Sequence, residues 1–165
     1  MTRRLILIRH AKSSWADPGQ DDHERPLNRR GQRSAVAIGH WLREKGFLPD
    51  RILCSSAART RETCALLALD PEPVILPALY HASPETLLAE LQAAGGGTVA
   101  VIGHNPGIGA FAEMILSAPP PHGRFFDYPT GATLVADLPV DAWSEVTPGA
   151  GRVVDFITPR ELTGE

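Results

Sequence analysis

Of 165 residues, 43% are hydrophobic and 21% charged, proportions that fit one globular domain with a sizeable core and exclude a disordered or collagenous chain. Sixteen Lys and Arg against nineteen Asp and Glu leave a formal net charge of −3, so no overall basic field draws the chain to nucleic acid or anionic lipid, and an anion site has to be a local arginine cluster. Cys54 and Cys64 lack CxxC or zinc spacing and read as small buried hydrophobes, and no apolar run is long enough for a signal-peptide core or a membrane span, so a cytoplasmic location away from membranes is expected.

Leu5-Ile6-Leu7-Ile8 is a short continuous apolar run, the pattern of a strand buried on both faces. After a polar loop from Lys12 to Leu27, Asn28 is placed to cap a helix whose inner face is Ala35, Ile38, Gly39 and Leu42 and whose end is Gly46. Arg51 to Ser55 is the next strand. Ser56 is expected to cap a helix carrying Thr63, Leu66 and Leu67, closed by Pro71 and Pro73. Val74 to Leu76 predicts a third strand, and Ser83-Pro84-Glu85 opens a helix in the order cap, N1 proline, first-turn acid, stopped by Gly95-Gly96-Gly97. Thr98 to Ile102 follows as a strand. Asn105-Pro106 then starts a helix with Ile108, Phe111, Ala112 and Ile115 on one face. Ala118 to Gly123 is a proline-rich surface loop, and Ala132 to Leu138 and Arg152 to Ile157 are two last strands, expected to pair antiparallel. The alternation predicts a single α/β domain spanning 1–165, a three-layer α/β/α arrangement with a mostly parallel sheet of about six strands.

Parallel sheets bind ligands beyond the carboxyl ends of their strands. There the sequence puts Arg9-His10 after the first strand, Ser55-Ser56-Ala57-Ala58-Arg59 after the second and Gly103-His104-Asn105-Pro106 after the fourth. Two guanidiniums and two imidazoles converge from three segments, which is phosphate chemistry rather than metal chemistry: guanidinium forks match phosphate oxygens, and an imidazole can attack phosphorus. Arg59 in the first turn of a helix sits at the positive end of the dipole, a conflict that a bound anion resolves, and the helix start at Asn105 is expected to turn free amides toward the same crevice. His23, His40 and His122 read as solvated or packing residues, and Trp15, Trp41 and Trp143 as core or rim packing. No Walker A, GxSxG, HExxH or EF-hand pattern is present.

The blocks Leu7-Ile8-Arg9-His10, Ser55 to Thr63 and Val101-Ile102-Gly103-His104-Asn105-Pro106, with Arg25-Pro26-Leu27-Asn28-Arg29-Arg30-Gly31, resemble the histidine phosphatase superfamily, the phosphoglycerate mutase-like group. The chain is most similar to its short phosphohistidine phosphatase, or SixA-type, branch, over Arg4 to about Leu116. The resemblance implies that His10 is the nucleophile that becomes phosphorylated, that Arg9 and Arg59 hold the phosphoryl oxygens, that His104 completes the pocket and that Arg25 also reaches the phosphate. Asn105, beside His104, joins the phosphate-binding set. The resemblance also implies a phosphoglycerate mutase-like fold and a reaction with no cofactor and no metal. The residue after the nucleophile, usually glycine, is Ala11. The carboxylate proton donor of the mutase and small-ester branches has no clear counterpart; Asp22 and Glu85 are the nearest candidates, each with a plainer reading as a solvated or capping carboxylate.

A site without a committed acid suits phosphohistidine, because a phosphorylated imidazole can carry its own proton and leave neutral, whereas an alkoxide needs one from the enzyme. The expected partner is a phosphorylated protein. Two alternatives stand beside it: a phosphatase of a small phosphorylated metabolite, and a non-catalytic phosphate-binding module.

Overall fold

A computed structural model describes residues 1–165. Its organising element is the strand β1 (Arg3–Arg9), whose side chains alternate between two cores. Leu5 and Leu7 point into one apolar cluster, and Ile6 and Ile8 into the other, which is why the run reads as uniformly apolar rather than alternating. The remaining strands are β2 (Arg51–Ser55), β3 (Val74–Leu76), β4 (Thr98–Gly103), β5 (Thr133–Leu138) and β6 (Arg152–Ile157). They form one six-stranded sheet in the order β3-β2-β4-β1-β5-β6. The pairs β1–β4, β2–β4 and β2–β3 are parallel, while β5 runs antiparallel to both β1 and β6. The α/β class, the strand number and the antiparallel final pair agree with the sequence reading.

Five helices cover the sheet: α1 (Arg29–Lys45), α2 (Ala58–Leu67), α3 (Pro84–Gln92), α4 (Gly107–Ile115) and α5 (Pro159–Thr163). Helices α1 and α2 close the core that contains Ile6, Ile8, Ile52 and Ile102, and α5 packs on α1. Helices α3 and α4 close the opposite core, which also takes Phe125, Tyr128 and Trp143. Each buried Leu, Ile or Phe there contributes about 1.5–3 kcal/mol. At the start of α1, the Asn28 side chain accepts from the Gly31 amide at 2.8 Å, and at its end Gly46 adopts a left-handed φ of 73°. Both ends are as the sequence predicts. Ser83 caps α3 through the Thr86 amide, also as predicted.

Two helix starts differ from expectation. Helix α2 is capped by Ala57 with no side-chain bond; the Ser56 hydroxyl instead meets His23 Nε2 at 2.9 Å, a tertiary contact that outcompetes the local cap. Helix α4 begins at Gly107, after Pro106. Its first amides do not open into a crevice, because Ile108 donates to the His104 carbonyl, Gly109 to the Asn105 side chain and Ala110 to the Pro106 carbonyl. Helix α5 carries no apolar periodicity and does not emerge from the sequence pattern.

Candidate active site

The parallel register assembles the site. Ile8 is paired with Ile102 and Arg9 with Gly103 across β1–β4, and Cys54 with Ile102 across β2–β4. The next residues, His10, His104 and Ser55, therefore lie side by side at the carboxyl edge of the sheet. The imidazoles of His10 and His104 are 5.3 Å apart, centre to centre. A cleft over this edge is lined by Arg9, His10, Arg25, Arg59, His104 and Asn105, together with Asp22. Seven of the eight site residues singled out in the sequence thus meet in one place. Glu85 does not line this cleft; it is exposed in the first turn of α3.

His10 is 6% exposed. Its Nδ1 lies 2.7 Å from the carbonyl oxygen of Ala11. A carbonyl can only accept, so Nδ1 carries the proton and Nε2 keeps a free lone pair. Burial, then repulsion from Arg59, Arg9 and Arg25, push its pKa down to about 3, so the ring is neutral at physiological pH. His104 is buried, pairs through Nε2 with the Ser55 hydroxyl at 2.8 Å, and is pushed down to about 2 by burial first and by His10 and Arg59 next. Ala11 has no left-handed backbone angle, so the alanine is accommodated, fully buried with its amide on Thr63 Oγ1.

The cations are held from behind, with donors left over. Arg9 Nη1 donates to the Tyr128 carbonyl at 3.0 Å; Arg59 Nη1 donates to the Asp22 carbonyl at 2.7 Å; Arg25 Nη1 donates to Ser13 Oγ at 2.6 Å. The Nε atoms of Arg9 and Arg59 and Nδ1 of His104 are buried with no hydrogen-bond partner. An unpaired buried donor costs about 1–3 kcal/mol, and an oxyanion in the cleft would recover that cost at several donors together. Asn105 serves a supporting role: its amide nitrogen donates to the carbonyls of Asp127 and Tyr128 at 3.3 and 3.2 Å, fixing the segment that also anchors Arg9.

Asp22 sits between the arginines, within 3.2 Å of Arg25 and 3.1 Å of Arg59. Hydrogen bonds from Tyr80, His81 and Arg59 hold its carboxyl well below the usual carboxylate range. It is an anion at neutral pH, the reverse of a proton donor in waiting. His81 Nε2 donates to Asp22 Oδ2 at 3.1 Å, and its ring lies 5.1 Å from that of His104. Sequence reading misses both Tyr80 and His81. The strand-end rule points toward them, since they follow β3, but a 3-10 turn over Pro77–Leu79 intervenes, and His81 reaches the cleft with a left-handed φ of 52°. Trp15 is also not the packing residue expected. It is 71% exposed, with the Arg25 guanidinium 3.6 Å from its ring centre, a cation–π contact at the cleft mouth. Trp41 and Trp143 are buried, as expected. His23 is neither free nor merely packed: it bonds Ser56 and lies edge-on to Tyr80. No three His, Cys, Asp or Glu residues group as a metal site, and no helix is long and apolar enough to cross a membrane.

Comparison with known proteins agrees with this geometry. The profile of the Histidine phosphatase superfamily (branch 1) matches residues 5–82. An uncharacterized protein of Mycobacterium tuberculosis (strain ATCC 25618 / H37Rv) is 35% identical over 160 residues, covering 93% of this chain and 100% of that protein. Among solved structures, the protein of Nakamurella multipartitia provisionally named phosphohistidine phosphatase SixA superposes with a TM-score of 0.84 at 32% identity, over 96% of this chain and 97% of that one. Its provisionally named counterpart from Agrobacterium tumefaciens gives 0.77 at 30% identity, over 95% and 99%.

Proposed function

Because the chain belongs to the histidine phosphatase superfamily, in its SixA-type branch, and is a phosphatase by that membership, we propose that it dephosphorylates protein phosphohistidine through a covalent intermediate on His10. The observation that carries the reading is the pairing of a neutral, buried His10 whose proton is committed to the Ala11 carbonyl with a nearby carboxylate, Asp22, held as an anion. The nucleophile is ready, and neither carboxylate candidate is an acid for a poor leaving group.

In this reading, Nε2 of His10 attacks phosphorus in line, and the P–N bond to the substrate imidazole breaks. The substrate ring leaves neutral because its other nitrogen keeps its proton. Water then attacks the phosphoryl group. The bond to His10 breaks, His10 returns to its neutral form with Nδ1–H still on Ala11, and the proton of the attacking water passes to phosphate or solvent. Arg9, Arg25, Arg59 and His104 hold the phosphoryl oxygens through both displacements, so positioning and fixed positive charge supply the rate enhancement without a metal. The two SixA proteins of similar structure carry the phosphohistidine phosphatase name, which supports the substrate class.

The test is kcat/KM for a phosphohistidine protein against a panel of sugar, nucleotide and aryl phosphates, with and without a chelator. Preference for the phosphohistidine protein, unchanged by the chelator, is expected. Turnover confined to the small esters, or lost with the chelator and restored by a divalent ion, would overturn the reading.

A further inference from the structure

A second cavity, of about 210 Å³, adjoins the catalytic cleft. Lys12 and Thr130 line both, so the two share a wall. Apart from the rings of Pro129 and Pro159 its lining is polar, with four cations, Lys12, Arg30, Arg124 and Arg160, against the single carboxylate side chain of Glu165. In a chain of net charge −3, this is a local reversal of sign at the edge of the site. The cations are unevenly committed. Arg124 pairs with Asp127 at 2.9 Å, and Arg30 donates to the Glu165 backbone at 2.6 Å. Lys12 and Arg160 have no ion pair and no side-chain hydrogen bond. One wall is tightly backed: Pro159, which lines the cavity, lies so close to Gly131 at φ +76° that an added Cβ there would stand 2.4 Å from its ring.

From this juxtaposition of a basic cavity, two of whose cations have no protein partner, and the nucleophile's own cleft, we propose that the cavity is a docking subsite for acidic side chains that flank the phosphorylated residue of a protein substrate. The proposal rests on the phosphohistidine-protein reading above and adds to it what the partner's surface must look like. A cavity whose apolar lining is two proline rings offers no deep hold to an aliphatic or aromatic anchor, whereas carboxylates on an adjoining segment gain charge-assisted bonds from Lys12 and Arg160. A rim of this kind selects partners and speeds encounter more than it tightens the complex, and it weakens with salt.

Arg160 lies outside the catalytic cleft, so Arg160→Glu tests the subsite without touching the chemistry, and Arg160→Lys is the charge-conserving control. Binding is read by fluorescence anisotropy with a labelled, unphosphorylated acidic peptide and its Asn/Gln twin, and turnover with the phosphohistidine forms of both and with p-nitrophenyl phosphate. The expected result is binding of the acidic peptide only, weakened about tenfold by Arg160→Glu and little by Arg160→Lys. The same loss should appear in kcat/KM for the phosphorylated acidic peptide, with p-nitrophenyl phosphate turnover unchanged. Equal binding of the two peptides, indifference to Arg160→Glu, or displacement of the acidic peptide by citrate at equal carboxylate concentration would overturn the subsite. Because anisotropy does not depend on turnover, wild-type protein that binds the acidic peptide but hydrolyses neither phosphopeptide would overturn the phosphohistidine reading and leave the acidic-segment subsite supported.

Discussion

Three single residues carry the sharpest consequences of the cleft. His10→Ala is expected to abolish turnover and to leave no phosphoenzyme after rapid quenching at neutral to alkaline pH, because no other imidazole presents a free lone pair between the three guanidiniums; label recovered on Ser13, Ser14 or Ser55 would contradict this. For Arg59, the sequence alone suggests that removal relieves a helix dipole at no cost. The structure adds a partner: Arg59 is buried and ion-paired with Asp22, whose side chain is 45% exposed. The two effects oppose each other, and although Arg59 is buried, the 45% exposure of Asp22 lets solvent screen the pair from that side. Arg59→Lys should therefore lower kcat/KM by about 10²-fold, the usual cost of one preorganised donor, while urea unfolding shifts by less than about 1 kcal/mol. His104 gives a pH signature. Its folded pKa of about 2 lies far below the ordinary value of 6.5, so between those values the unfolded chain binds a proton that the folded chain does not. Stability is then lost as pH falls below about 6.5, by up to about 1.4 kcal/mol per pH unit for each such histidine. His104→Gln should show a shallower loss than wild type between pH 7 and pH 5 in urea titrations.

Among the elements, close backbone approaches define how the helices carry site residues. Gly39 of α1 lies against the backbone of α2: a Cβ there would stand 2.2 Å from the Leu67 carbonyl oxygen. The contact fixes α2, and with it Arg59 and Thr63, relative to α1. Gly46 contrasts with it, left-handed at φ +73° with open space around the missing Cβ. Gly39→Ala should push two helices apart and cost about 1–3 kcal/mol or more, with a loss of kcat/KM in the fraction that folds. Gly46→Ala should cost about 1 kcal/mol from the backbone alone and leave catalysis intact. Equal effects of the two on activity would show that α1–α2 packing does not position Arg59. The helix ends also show where local reading stops. Asn28, Gly46 and Ser83 behave as caps because their partners lie within a few residues. Ser56 does not, because the residue that claims its hydroxyl, His23, is 33 positions away.

At the level of the whole molecule, the strands were legible because each is a continuous or alternating apolar run, and the catalytic edge was legible because parallel strands in register place the residues that follow them side by side. Arg9, His10, Arg59 and His104 come from that rule. What was not legible arises across the chain: the anionic state of Asp22 depends on Tyr80 and His81, 58 and 59 residues away, and the stacking of Trp15 on Arg25 is set by a loop whose course no periodicity encodes. These two kinds of residue also sit on unequal ground. The His10 amide bonds to Gly103, the Arg9 and His10 carbonyls accept from Gly131, and the strand that delivers them lies between two neighbours in the sheet. Asp22, Arg25 and Trp15 ride instead on the 12–27 loop, tied down at Ser13–Leu27 and by side chains. Native-state hydrogen exchange should separate these halves, with the amides of Leu5 to Ile8 released only by global unfolding and those of the 12–27 loop released in a smaller, earlier opening. His10 would then stand on the last part of the molecule to give way, while Asp22, Arg25 and Trp15 breathe with their own loop, so that the cleft has a fixed anvil on one side and an adjustable jaw on the other.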